Sequence, residues 1–154
     1  MSLSASTISA GIAAINVSGV TIKDIDEIPE AVMVRDCPVL FPSFDTWMGG
    51  ANGEPAEGPT TFGTASTRYW IFNRIYRYIF LYAPVGSGRG LRDHFAGMVE
   101  KADAVIEALC ELDIDGVDVQ NVTLGEFGVI TDPSANNFYG FTLAIIFRER
   151  VNND

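Results

Sequence analysis

Five features of this chain carry residue types that could do chemistry. GSGRG, at Gly86 to Gly90, falls between an expected strand and an expected helix, where a phosphate loop would aim backbone N–H groups at an anion. Its spacing is neither GxGxxG nor a P-loop with its lysine and hydroxyl. It reads as a flexible connector, with a small nucleotide- or ligand-binding domain as the alternative. His94 is the only histidine, and Arg92 and Asp93 are too close in sequence to stack beside it on a helix. No second histidine or cysteine is near enough to complete a metal site, and no serine lies in a GxSxG elbow. DIDGVD, from Asp113 to Asp118, would need glycine sixth and glutamate twelfth to be a calcium loop, but those places hold Asp118 and Leu124. It reads as a helix end followed by a turn.

Arg68, Arg74 and Arg77 interleave with aromatic residues, as in proteins that stack on single-stranded nucleic acid. A net charge of −10 and a pI near 4.4 oppose that use, because gripping phosphates takes clustered cations. Arginine and tyrosine are also enriched in protein interfaces. Cys37 and Cys110 show no redox or metal spacing and are expected as reduced, mostly buried thiols. No catalytic residue, cofactor or metal is expected.

The elements that would position these residues centre on RYWIFNRIYRYIFLYA, from Arg68 to Ala83. Side chains alternate across a strand, so Trp70, Phe72, Tyr76, Tyr78, Phe80 and Tyr82 share one face, while Tyr69, Ile71, Ile75, Ile79 and Leu81 share the other. Neither face suits solvent, and the first set is the expected subunit interface. The run would extend roughly 50 Å, against roughly 40 Å for a domain of this size. A bend near Asn73 and Arg74, a later start, or an arm projecting to a neighbour would reconcile the two lengths.

Ile8, Ile12 and Ile15 predict an N-terminal helix capped by Ser4 or Ser6 and stopped by Gly19, with a short strand from Val20 to Ile22. Residues 31–35 read as a strand closed by Pro38 and Pro42. Residues 48–63, rich in glycine and proline, read as a mobile loop. Leu91 to Leu112 holds apolar helical spacing for about six turns. Val117 to Ile130 and Phe138 to Val151 predict an antiparallel hairpin across a DPSANN turn. On its last strand Tyr139, Phe141, Leu143, Ile145 and Phe147 share a face, while Gly140, Thr142 and Ala144 leave the opposite one shallow enough for a helix.

The fold class is therefore α+β: a mainly antiparallel sheet with an N-terminal helix and one long amphipathic helix packed on one face. With 154 residues, 47% hydrophobic and 19% charged, residues 1–154 suit a single domain. The first basic residue is Lys23, so a secretory leader is not expected. The aromatic run is too interrupted by arginines to span a membrane.

The order of a tyrosine-rich strand (IYRYIFLYAP), a glycine turn, a long helix (FAGMVEKADAVIEAL) and a hairpin ending YGFTLAIIFRERV resembles the tail terminator proteins of long-tailed bacteriophages. The N-terminal helix and VMVRDCPVLFPSFDTW are similar too, so the resemblance covers most of the chain loosely. It implies a structural virion protein, not an enzyme, that forms a homo-oligomeric ring, commonly a hexamer, at the head-proximal end of the tail. Such a ring ends tube polymerisation and provides the head-joining surface. The implied partners are further copies of the chain, the tail tube protein and a head-tail connector or neck protein, with DNA only passing through the lumen. The implied place is the virion, after assembly in the host cytoplasm. Other neck or tail-completion proteins could share this pattern.

Overall fold

A computed structural model describes residues 5–43, 47–49, 61–64, 67–86 and 90–152. Helix α1 (Ala5–Ala13) presents Ile8 and Ile12, one turn apart and both fully buried. It ends earlier than its isoleucine spacing suggests. The Ile15 amide reaches back three residues, to the Ile12 carbonyl, at 3.1 Å, and Ile15, Asn16 and Val17 are weak helix formers. Gly19 (φ +75°) turns the chain into β1 (Thr21–Ile22), which pairs in parallel with β2 (Val39–Pro42).

Residues 31–35 are not a strand. The Val32 amide donates to the Asp132 carboxylate (2.9 Å) and the Met33 amide to Asp36 (3.0 Å), so side chains take the backbone donors that a ladder would use. Val34–Asp36 forms a 3-10 turn, and the strand comes after it, as β2.

The segment expected as a loop over residues 48–63 is strand at both ends. β3 (Met48–Gly49) and β4 (Thr61–Thr64) pair antiparallel with β5 (Thr67–Pro84), and residues 50–60 lie outside the described residues. β2, β3 and β4 follow one another along a single edge of β5. β7 (Asn137–Asn152) runs along the other edge, with β6 (Val117–Thr131) beyond it. β5 therefore keeps its full length without a register shift at Asn73 or Arg74. Its irregularity lies between Leu81 and Ala83, and it is flanked by paired strands instead of standing out as a lone arm.

Between β5 and β6 runs α2 (Leu91–Cys110), burying Met98, Ala102, Val105 and Leu109. DIDGVD is the turn that follows it, with Gly116 at φ +75° and its carbonyl accepting from the Arg150 amide at 2.7 Å. The molecule is α+β, with one mostly antiparallel mixed sheet and two α-helices among the described residues.

Both helices pack on the same face of the sheet, against Leu40, Tyr76, Tyr78, Phe80, Phe141, Leu143, Ile145 and Phe147. This overturns two expectations. Phe72, Tyr76, Tyr78 and Phe80 of the aromatic row belong to the molecule's own core and are not a surface awaiting a neighbour. The helices also lie on the bulky face of β7, not the small-residue one. Gly140 is small for a different reason: a Cβ there would overlap the Phe80 carbonyl oxygen on the adjacent strand. Across the sheet a second cluster, of Val32, Val39, Phe41, Leu81 and Phe138, covers only part of the opposite face.

Candidate assembly surface

The residues first expected at an interface divide by depth. Tyr76, Tyr78 and Phe80 are 0–1% exposed, and Phe72 is buried as well. Phe80 stacks on Phe141 (centroids 4.5 Å apart), and Tyr76 meets Phe147 edge-on at 5.4 Å and Trp47 at 5.0 Å. Tyr82 is half-buried beside His94 at 5.7 Å, and the missing side chain of Gly97 makes room for its hydroxyl. Trp70 pairs through its backbone with Phe62 and Val151, and its side chain lies outside the described residues.

The helix-covered face also holds a buried charge pair whose partners no spacing in the sequence brings together. Arg74 Nε lies 3.5 Å from Glu149 Oε2, and the Tyr76 hydroxyl donates to the same oxygen at 3.0 Å. The Arg74 guanidinium also sits 5.3 Å from the centre of the Phe72 ring. Burial pushes the Tyr76 hydroxyl above its ordinary range, and the Glu149 charge adds to that against the opposing hydrogen bond to Arg74. Burial likewise pushes the Tyr78 hydroxyl up to about 12, over the opposing influence of the nearby Trp47 and Ser9 side chains. Both phenols stay protonated near neutral pH; Tyr76 donates to Glu149, whereas the buried Tyr78 hydroxyl has no hydrogen-bond partner among the described residues.

The other isolated candidates have structural places too. His94 stands in the first turn of α2, its ring stacked 5.5 Å from Tyr139. Gly86 and Gly90 take positive φ on either side of Ser87 to Arg89, and those three residues lie outside the described ones. Both cysteines are free thiols, but Cys110 is exposed and Cys37 only half-buried, which corrects the expected burial. Cys110 closes α2 at a position turned away from the Met98 stripe. Burial, helped by the Asp36 charge, pushes the Cys37 thiol up to about 11. Among the described residues no group of three or more His, Cys, Asp and Glu side chains could hold a metal ion. No helix there is long and apolar enough to cross a membrane.

Among the described residues, part of the second face of the sheet is left uncovered. Ile75, Arg77 and Ile79 of β5 and Thr142, Ala144 and Ile146 of β7 are each only half-buried. They lie in register, Ile75 opposite Ile146, Arg77 opposite Ala144, and Ile79 opposite Thr142. A groove of about 280 Å³ crosses this surface from Ser43 to Thr123 and Gly125. Gly125 sits in the β6 irregularity between Leu124 and Phe127, where a Cβ would strike the Thr142 hydroxyl.

At one end this face is capped by the acidic connector of residues 24–36, and Asp132 fastens that cap. Its carboxylate accepts from the amides of Val32 (2.9 Å), Ser134 (3.0 Å) and Asn136 (2.8 Å) and from the Asn136 side chain (3.1 Å). Burial alone would raise the Asp132 carboxyl, but these donors outweigh it and hold the group below its ordinary value. Ser134 adds a hydrogen bond to the Glu30 carbonyl. Beyond the cap the face carries Arg77, Arg148 and Arg150, with Asp118 opposite Arg148.

Large rings are conspicuous in a sequence whichever face of a sheet they occupy. The available signal for the open face was the quieter alternate series Ile75, Arg77, Ile79, whose cation suits a surface better than a core. No protein-family model matches the chain, and the search of curated proteins returned no relative.

Proposed function

We propose that this chain is a structural virion protein of a long-tailed bacteriophage, a ring subunit that caps the tail tube, ends its polymerisation and provides the head-joining surface. The observation that carries this reading is the half-covered second face of the sheet. Ile75, Ile79 and Ile146 are apolar, aligned across two central strands and only half-buried, and contiguous apolar surface of this kind marks association sites. The order of elements from the tyrosine-rich strand to the closing hairpin supports the reading, and so does the negative balance of 20 acidic to 10 basic residues. Like charge lets a nucleic acid pass a surface without being held by it.

Light scattering coupled to size-exclusion chromatography tests the proposal, followed by negative-stain microscopy. A closed multimer with a central opening is expected. A monomer at micromolar concentration overturns the reading. Nucleotide binding at GSGRG predicts instead a monomer or dimer whose melting temperature rises with added ATP.

A further inference from the structure

Resting on the assembly reading, we propose that the open sheet face receives a second copy of this chain head to tail, and that the occupant is the acidic outer face of the neighbour's α2. The two surfaces are complementary in charge. The exposed part of the sheet bears Arg77, Arg148 and Arg150 against Asp118. On α2 the buried stripe runs through Met98, Ala102, Val105 and Leu109. Turned away from it, Asp93, Glu100, Asp103 and Glu107 continue into Glu111 as one exposed acidic row.

Part of that row repels itself. Asp103 with Glu107, and Glu107 with Glu111, are like charges at i,i+4, which repel. The last turn of α2 contains no basic residue, although a helix C-terminus favours cations. Lys101, the helix's only lysine, donates to the Ser18 carbonyl at 2.7 Å on the flank. A cation supplied by a neighbour would relieve both disadvantages.

Spacing and shape agree with that occupant. Arg77 is in register with Ala144, and Arg148 lies four residues further along β7, about 13 Å away. Along α2 the Glu100 to Glu107 and Asp103 to Glu111 intervals are about 11 and 12 Å. Beside the acidic row, Asn16 to Ser18 and α2 enclose a groove of about 230 Å³ lined by Ala104, Glu107, Ala108 and Glu111. It has room and polarity for a guanidinium. Because the two patches differ, the contact is heterologous, the kind that closes into a ring when the rotation allows.

The test is charge reversal read by light scattering, with circular dichroism to confirm folding. Arg148→Glu and Glu107→Arg, each alone, should raise the midpoint concentration of assembly by at least about tenfold. The double variant, and an equimolar mixture of the two single variants, should recover the wild-type multimer. Arg150→Glu with Glu111→Arg gives an independent swap should either first variant fold poorly. A multimer that ignores the single reversals, or a loss that neither pairing restores, overturns this contact while leaving the ring reading intact. A monomeric wild type overturns both.

Discussion

The two faces of β5 are built from one continuous run of residues, yet they meet different fates. Tyr76, Tyr78 and Phe80 are closed off by α1 and α2, whereas Ile75, Arg77 and Ile79, one residue away in each case, remain half-exposed. The difference teaches that residue size and surface role are separate matters. The large rings supply the area that the helices bury, and aromatic pairs such as Phe80 with Phe141 fix how the layers sit. The smaller aliphatic face, with an arginine among its isoleucines, is the one left half-exposed, and it is the face proposed for assembly.

The contrast can be broken most severely from the covered side. Phe80→Asp puts an unpaired charge into a fully buried site, and we expect loss of the cooperative thermal transition, not a folded monomer. Glu149→Ala is next: it strands Arg74 beside the Tyr76 hydroxyl and should cost about 3–5 kcal/mol in urea unfolding.

Asp132→Ala sharpens the boundary between the capped and open parts of the second face. It removes four hydrogen bonds to a buried carboxylate, for an expected loss of about 2–3 kcal/mol. Since the folded carboxyl is held below its ordinary 3.8, its contribution is complete above that pH and fades as pH falls through the lowered value. The wild-type and variant stability curves should therefore converge in acid. Ile79→Ser, on the open face, should change monomer stability by no more than about 1 kcal/mol but weaken assembly measurably.

Much of the fold was legible in the sequence. The spacing from Leu91 to Leu112 located α2 to within two residues, and alternating runs around DPSANN located the β6–β7 hairpin. Backbone pairing hid the rest. β3 and β4 hold to β5 through main-chain hydrogen bonds, so glycine and proline nearby disguised them as loop. Residues 31–35 have a strand-like composition, but the Asp132 and Asp36 carboxylates take their amides. Over residues 71–82 alternation divided β5 into two faces correctly. It could not say which face the helices cover, because that depends on how α2 returns over the sheet, and a tertiary crossing leaves no mark in a two-residue period.

The proposed assembly surface was legible only as a need for cover. The Arg74–Glu149 pair was not legible at all, since 75 residues separate two charges brought together by strand register.

Hydroxyl-radical footprinting of the assembled particle, compared with the same protein dissociated in high salt, tests the central claim most directly. Tyr78 and Phe80 should be protected in both states, whereas Ile79 and Ile146 should be protected only on assembly. Equal labelling of Ile79 and Ile146 in the two states, or protection of Tyr78 and Phe80 that disappears on dissociation, would contradict the account.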